Sequence, residues 1–169
     1  MRLTALILTL AFTLPAEVWL DVPFVRQEKN GCGSAAISML IEYWRAHGAP
    51  VDAAAADARA IQRSLYSAEA SGIYASDLKA YLERSGFRAF TFRGTWRDLG
   101  EHLAKGRPLI VSLGRSRLHY VVVAGIDNER GIVLVNDPAQ RKLMKLDRAG
   151  FGRDWNERWT LLAVPRERQ

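Results

Sequence analysis

Apolar residues change their spacing about two thirds of the way along the chain. Before Pro108 they recur mainly at three- and four-residue intervals, and after it they gather in short blocks. From Cys32 to about Ala46, the residues Ala36, Met39, Leu40, Tyr43 and Trp44 fall on one helical face, and Gly48 and Pro50 end the segment. The same spacing predicts a second helix from Asp52 to about Leu65. A third covers "DLKAYLERS", with Ser76 as N-cap and Gly86 as stop. A fourth covers "WRDLGEHLAKG", capped by Thr95. "FRAFTF" (Phe87 to Phe92) alternates as a strand does, and Leu20 to Gln27 reads as extended because Pro23 bars a helix. Beyond Pro108, "LIVSL", "HYVVVAGI", "GIVLVND", "KLMKL" and "WTLLAV" read as strands separated by turn residues such as "DNERG". Helices first and strands second predict an α+β domain, with the helices packed on a largely antiparallel sheet.

The first residues add an expectation about location. Arg2 precedes an apolar run from Leu3 to Leu14, and "LPA" offers a small residue at Ala16 before Glu17. Such a run is shorter than the roughly 20 residues that cross a bilayer. It predicts a signal peptide over residues 1–16, a single domain over 17–169, and a periplasmic or secreted protein with no membrane span after cleavage. An uncleaved anchor and a buried first helix are the alternatives.

Composition narrows the classes further. The 169 residues are 49% hydrophobic and 25% charged, which suits one globular core. The formal charge is +6, but no nucleic-acid-binding motif accompanies it. The one cysteine excludes an internal disulfide. With only three scattered histidines beside it, no metal-ligand spacing exists, and no cofactor or metal is predicted.

That cysteine carries the candidate chemistry. Cys32 lies between Gly31 and Gly33 at the first turn of its helix, where unpaired N–H groups and the helix dipole favour a thiolate. The glycines are read as permitting a tight entry turn and leaving the sulfur uncrowded. A thiolate nucleophile needs a proton-exchanging partner, and His119 opens the strand "HYVVVAGI". A histidine needs an orienting group, and Asp137 follows the next strand in "LVNDPA"; Asn136 and Asp127 are its rivals. If the two strands form a hairpin turning near Asn128 to Gly131, positions 119 and 137 share one end. The side-chain amide of Gln27 and the N–H of Cys32 could serve a developing oxyanion. His47 and His102 read as solvated. Arg115 and Arg117 could line a cleft or face solvent.

"Q…GCGSAAISML…Y", "HYVVVAG" and "NDP" together resemble the papain-like cysteine peptidases. More narrowly, they resemble cysteine peptidase family 39, the bacteriocin-processing, double-glycine leader peptidases. The resemblance implies Cys32 as nucleophile, His119 as base, Asp137 as orienting group and Gln27 as oxyanion donor. It also implies a peptide or protein substrate cut after small residues such as Gly-Gly. Well-known members are fused to an ABC exporter, whereas this sequence carries no ATPase motif. An acyltransferase using the same thioester, and a non-catalytic peptide-binding or chaperone module, are the competing functions.

Overall fold

A computed structural model describes residues 15–114 and 119–167. The expected signal run Leu3 to Leu14, and Arg115 and Arg117, lie outside them. The described chain forms β1 (Glu17–Trp19), α1 (Cys32–Ala46), α2 (Ala58–Leu65), α3 (Ala75–Arg84), β2 (Phe87–Arg93) and α4 (Trp96–Ala104). It continues with β3 (Leu109–Leu113), β4 (His119–Asp127), β5 (Ile132–Asn136), β6 (Met144–Asp147), α5 (Arg148–Asp154) and β7 (Trp155–Pro165). All strand pairs described are antiparallel, in the order β2-β7-β3-β4-β5-β6, with β1 pairing β4 beside that path. The expected α+β architecture is the observed one.

Side-chain alternation along β4 divides the core in two. Val122 and Ala124 pack with Ile37, Leu40 and Leu78 of the first helices, while Val121 and Val123 pack with Leu99, Leu103 and Phe151 of α4 and α5. The sheet is therefore covered on both faces at its centre, which explains why β4 is apolar without a break.

Several boundaries differ from expectation for local reasons. The segment Asp52 to Leu65 is a single 3-10 turn, Ala53–Ala56, followed by α2. Asp57 interrupts it because its carboxylate accepts from the N–H groups of Arg59 and Ala60, so it caps α2 instead of continuing a helix. The third helix starts at Ala75 with Tyr74 as N-cap, so Ser76 lies inside it. Thr95 caps α4 as expected, and Asp98 completes a capping box. The short elements β1 and α5 are additional.

The β4–β5 hairpin sets the geometry that follows. Asp127 pairs with Ile132, so the turn falls on residues 128–131 as expected. A register shift between Val123 and Gly125 then moves the pairing by one, to Val122 against Asn136. Asn136 is fully buried. Its Nδ2 donates to the carbonyl of Val22 at 3.0 Å, and its Oδ1 accepts from the N–H of Leu143 at 2.9 Å. It thus ties the hairpin end to the incoming segment that carries Gln27.

Replacing Asn136 by Ala leaves two backbone groups without partners, each worth about 1–3 kcal/mol when buried. Asn136→Ala should lower the denaturant midpoint with an unchanged m-value, a loss of roughly 2–4 kcal/mol. A midpoint equal to wild type would show that the clamp contributes nothing.

Candidate active site

The helix layer supplies the sulfur and the sheet supplies the histidine. Cys32 is the first residue of α1, whose N-cap is Gly31. Gly31 makes no side-chain cap hydrogen bond, and no acidic residue occupies the first turn. Among the described residues, neither a side-chain cap nor a first-turn carboxylate therefore competes with an anion for the positive end of this 15-residue helix. His119 and the backbone N–H groups of Tyr120 and Gly33 face the sulfur and favour its thiolate form.

Gly31 closes a tight entry turn, its N–H donating to the carbonyl of Glu28 at 3.0 Å, and a Cβ there would lie 3.2 Å from that oxygen; Gly33 acts differently. Neither belongs to the described residues with positive φ, and Gly31 has φ −99°. What Gly33 provides is close approach. A Cβ there would lie 3.1 Å from the Cβ of Ile73 and 3.4 Å from Cδ1 of Leu78. Its bareness lets the start of α1 pack on the segment leading into α3.

His119 opens β4, and its Nε2 lies 2.6 Å from Oδ1 of Asp137. This leaves Nδ1 for the sulfur. Asp137 is buried, and its Oδ1 also accepts from the N–H of Ala139 at 2.9 Å. Neither rival acceptor reaches the imidazole. Asn136 is spent on Val22 and Leu143, and Asp127, at the opposite end of β4, accepts from the N–H of Arg130 at 2.9 Å.

Charge is distributed accordingly. Burial pushes the Cys32 thiol up, but the hydrogen bonds from His119 and Tyr120, with the histidine charge, bring it below the ordinary thiol value. Burial works against the imidazolium too, yet the bonds to Asp137 and Cys32 raise His119 to about 9. Asp137 is desolvated, but its bond to His119 holds it below the usual carboxylate range. Cys32 and His119 therefore share a pH interval in which they form a thiolate–imidazolium pair. Tyr120 beside them is pushed up to about 12 by burial and the sulfur's charge, so its phenol stays neutral.

These groups open on a cleft of about 1180 Å³, also lined by Gln27, Gln140, Gly72, Ile73 and Tyr74. The N–H of Gln27 donates to the carbonyl of Pro138 at 3.0 Å, which seats it beside the Asp137 turn. Its Oε1 is enclosed without a hydrogen-bond partner among the described residues. The four residues expected to act together are thus gathered in one cleft.

Other participants were not visible in the sequence. Gln140 donates from Nε2 to Oδ2 of Asp137 at 3.1 Å, and the Ala70–Tyr74 segment forms a wall. The histidines outside the site also differ from each other. His47 follows α1 as its C-cap, with Nδ1 2.7 Å from the carbonyl oxygen of Tyr43. His102 is half-buried, not solvated: its ring lies 5.9 Å from that of Phe92, its Nδ1 is enclosed, and burial with Arg107 and Lys105 lowers its pKa. Among the described residues, no group of three or more His, Cys, Asp or Glu could hold a metal ion. Among them, too, no helix is long and apolar enough to cross a membrane.

Comparison with known families matches residues 19–161, nearly all of the described chain, to the Peptidase C39-like family. The chain belongs to this family. No curated protein sequence matches it. Among solved structures, it is similar to the peptidase domain of Streptococcus ComA, a bi-functional ABC transporter. The two are 18% identical with a TM-score of 0.67, over 86% of this chain and 99% of that one. It is also similar to a double glycine motif protease from an AMS/PCAT transporter, solved with the leader peptide. There the identity is 20% and the TM-score 0.65, over 88% of this chain and 95% of that one. A fragment of Prevotella intermedia prointerpain A is 18% identical with a TM-score of 0.55, over 91% and 73% of the two chains. At these identities the likeness is one of fold, and it is the papain-like fold of the C39 peptidase domains.

The charge arrangement predicts how Cys32 reacts with iodoacetamide as pH changes. Thiolate forms as pH rises through a value below that of free cysteine, so alkylation should begin at lower pH than for a free thiol. The imidazolium persists until about pH 9, where the profile should change a second time. Asp137→Ala removes the largest contribution raising His119, so that second change should move to lower pH. A single transition at the free-thiol value in both proteins would contradict the pair.

Proposed function

We propose that this protein is a cysteine peptidase whose nucleophile is Cys32, with His119 as acid and base, Asp137 as orienting carboxylate and Gln27 as oxyanion donor. The observation that carries the reading is the continuous chain from the Cys32 sulfur through His119 to the buried Asp137, opening on a peptide-sized cleft. In this scheme the thiolate adds to the carbonyl carbon of a peptide bond. The resulting oxyanion takes hydrogen bonds from the Gln27 NH₂ and the N–H of Cys32. His119 gives its proton to the departing amine, and the C–N bond breaks to leave a thioester on Cys32. His119 then takes a proton from water, which adds to the thioester and releases the acid and the thiolate.

The substrate in this proposal is an extended peptide segment cut after small residues such as Gly-Gly. The family membership and the leader peptide bound to the AMS/PCAT protease support this reading. We also place the enzyme outside the cytoplasm with residues 1–16 removed; Glu17, the first residue after that boundary, is the first residue of β1. N-terminal sequencing of the exported protein tests the location.

Incubation of the protein with a diverse peptide library, read by mass spectrometry, tests the function. Hydrolysis yields two fragments whose masses sum to the substrate plus water. Transfer to an added amine would mark an acyltransferase, and no cleavage under any peptide would mark a binding module. Cuts clustering after bulky or charged residues would contradict the small-residue specificity alone.

Two substitutions assign the roles. Cys32→Ala should abolish turnover with an unchanged melting temperature, since a small residue fits the first turn. Gln27→Ala should lower kcat by about 10²–10³ while moving KM little, because an oxyanion donor acts only where charge develops. A raised KM with unchanged kcat would make Gln27 a substrate contact instead.

A further inference from the structure

The turn after β5 is built around the carboxylate of Asp137. The N–H of Asp137 donates to the carbonyl of Arg141 at 3.1 Å, and the N–H of Gln140 donates to the carbonyl of Asp137 at 2.9 Å. The side chain is held as firmly as the backbone. Oδ1 accepts from His119 and from the N–H of Ala139, and Oδ2 accepts from Nε2 of Gln140 at 3.1 Å. The same turn is linked to the segment bearing Gln27: Gln27 donates its N–H to Pro138, and Nη2 of Arg26 donates to the carbonyl of Gln140 at 3.2 Å.

A carboxylate attached through one torsion can present either oxygen to the imidazole or turn its plane away from it. The N–H of Ala139 alone fixes one oxygen and leaves the plane free to rotate about that contact. A second donor on the other oxygen removes the rotation. Gln140 is the described side chain that makes this second bond, and it also lines the cleft, where it covers Asp137.

We infer that Gln140 is a positioning residue that pins Oδ2 of Asp137, so that Oδ1 stays directed at His119 and the imidazolium keeps its partner. The inference rests on the triad reading above but concerns a residue outside it. In this role its effect passes through Asp137 to the charge of His119.

Gln140→Met keeps the length and the apolar stem and removes the donor, and Gln140→Leu is a second variant of the same kind. In the full chain, the iodoacetamide profile of Cys32 should lose its transition near pH 9, which moves toward the ordinary imidazole value. Peptide turnover should fall about 10-fold in kcat, the size expected for one lost hydrogen bond to a charged group, with KM nearly constant. In an Asp137→Ala background the same substitutions should change neither quantity, since no carboxylate remains to be pinned. An unmoved profile, or an equal loss in the Asp137→Ala background, would overturn the inference, as would a raised KM with the profile unchanged. The alkylation profile does not depend on peptide cleavage. If the profile shifts as expected while no peptide is cut by any form of the protein, the positioning role stands and the peptidase reading fails.

Discussion

The bond between His119 and Asp137 is the constraint on which the site depends. An imidazole beside a thiol in a half-buried cleft loses solvation as an imidazolium, and burial alone would leave both groups neutral. The buried carboxylate at 2.6 Å reverses this for the histidine, and the charged histidine in turn draws the proton from the sulfur. The helix end contributes in the same sense, with an uncapped first turn that receives negative charge. Each of these groups is held by a different part of the fold, so their meeting is a property of the whole architecture.

Three tertiary arrangements deliver it. The β4–β5 hairpin brings His119 and Asp137 to one end of the sheet. Gly33 lets the start of α1 settle against Ile73 and Leu78, on the face of the sheet where Val122 and Ala124 also pack. The irregular segment before α1 is fastened to the turn after β5 by Gln27 and to Asn136 through Val22. Cys32, His119, Asp137 and Gln27 thus converge although they span residues 27 to 137. The solved C39 peptidase domains share the fold of this chain at identities of 20% or less.

What could be read in the sequence follows the range of the forces involved. The helix from Cys32 and the capped helix at Thr95 depend on residues three or four apart, and both stand where the pattern put them. The hairpin around "DNERG" is likewise local, and it made the nearness of 119 and 137 foreseeable. Other features depend on partners distant in sequence. β1 has three residues and exists because β4 offers it an edge. α5 contains two glycines in seven residues, too few good helix formers to announce itself. Gly33 reads as a turn residue until Ile73 is placed beside it. Gln140 looks like any surface glutamine until the turn closes on Asp137. Asp57 belongs to a third kind: its carboxylate caps α2 within the segment whose spacing predicts one continuous helix.

The claim at the centre of this account is that His119 is an imidazolium at neutral pH because Asp137 and Cys32 hold its proton. Nitrogen-15 NMR of the histidine side chains, recorded as a pH titration of the intact protein, measures this directly. The account predicts that both ring nitrogens of His119 stay protonated through pH 7 and lose a proton near pH 9. A His119 ring that titrates near 6.5, the ordinary imidazole value, would contradict it.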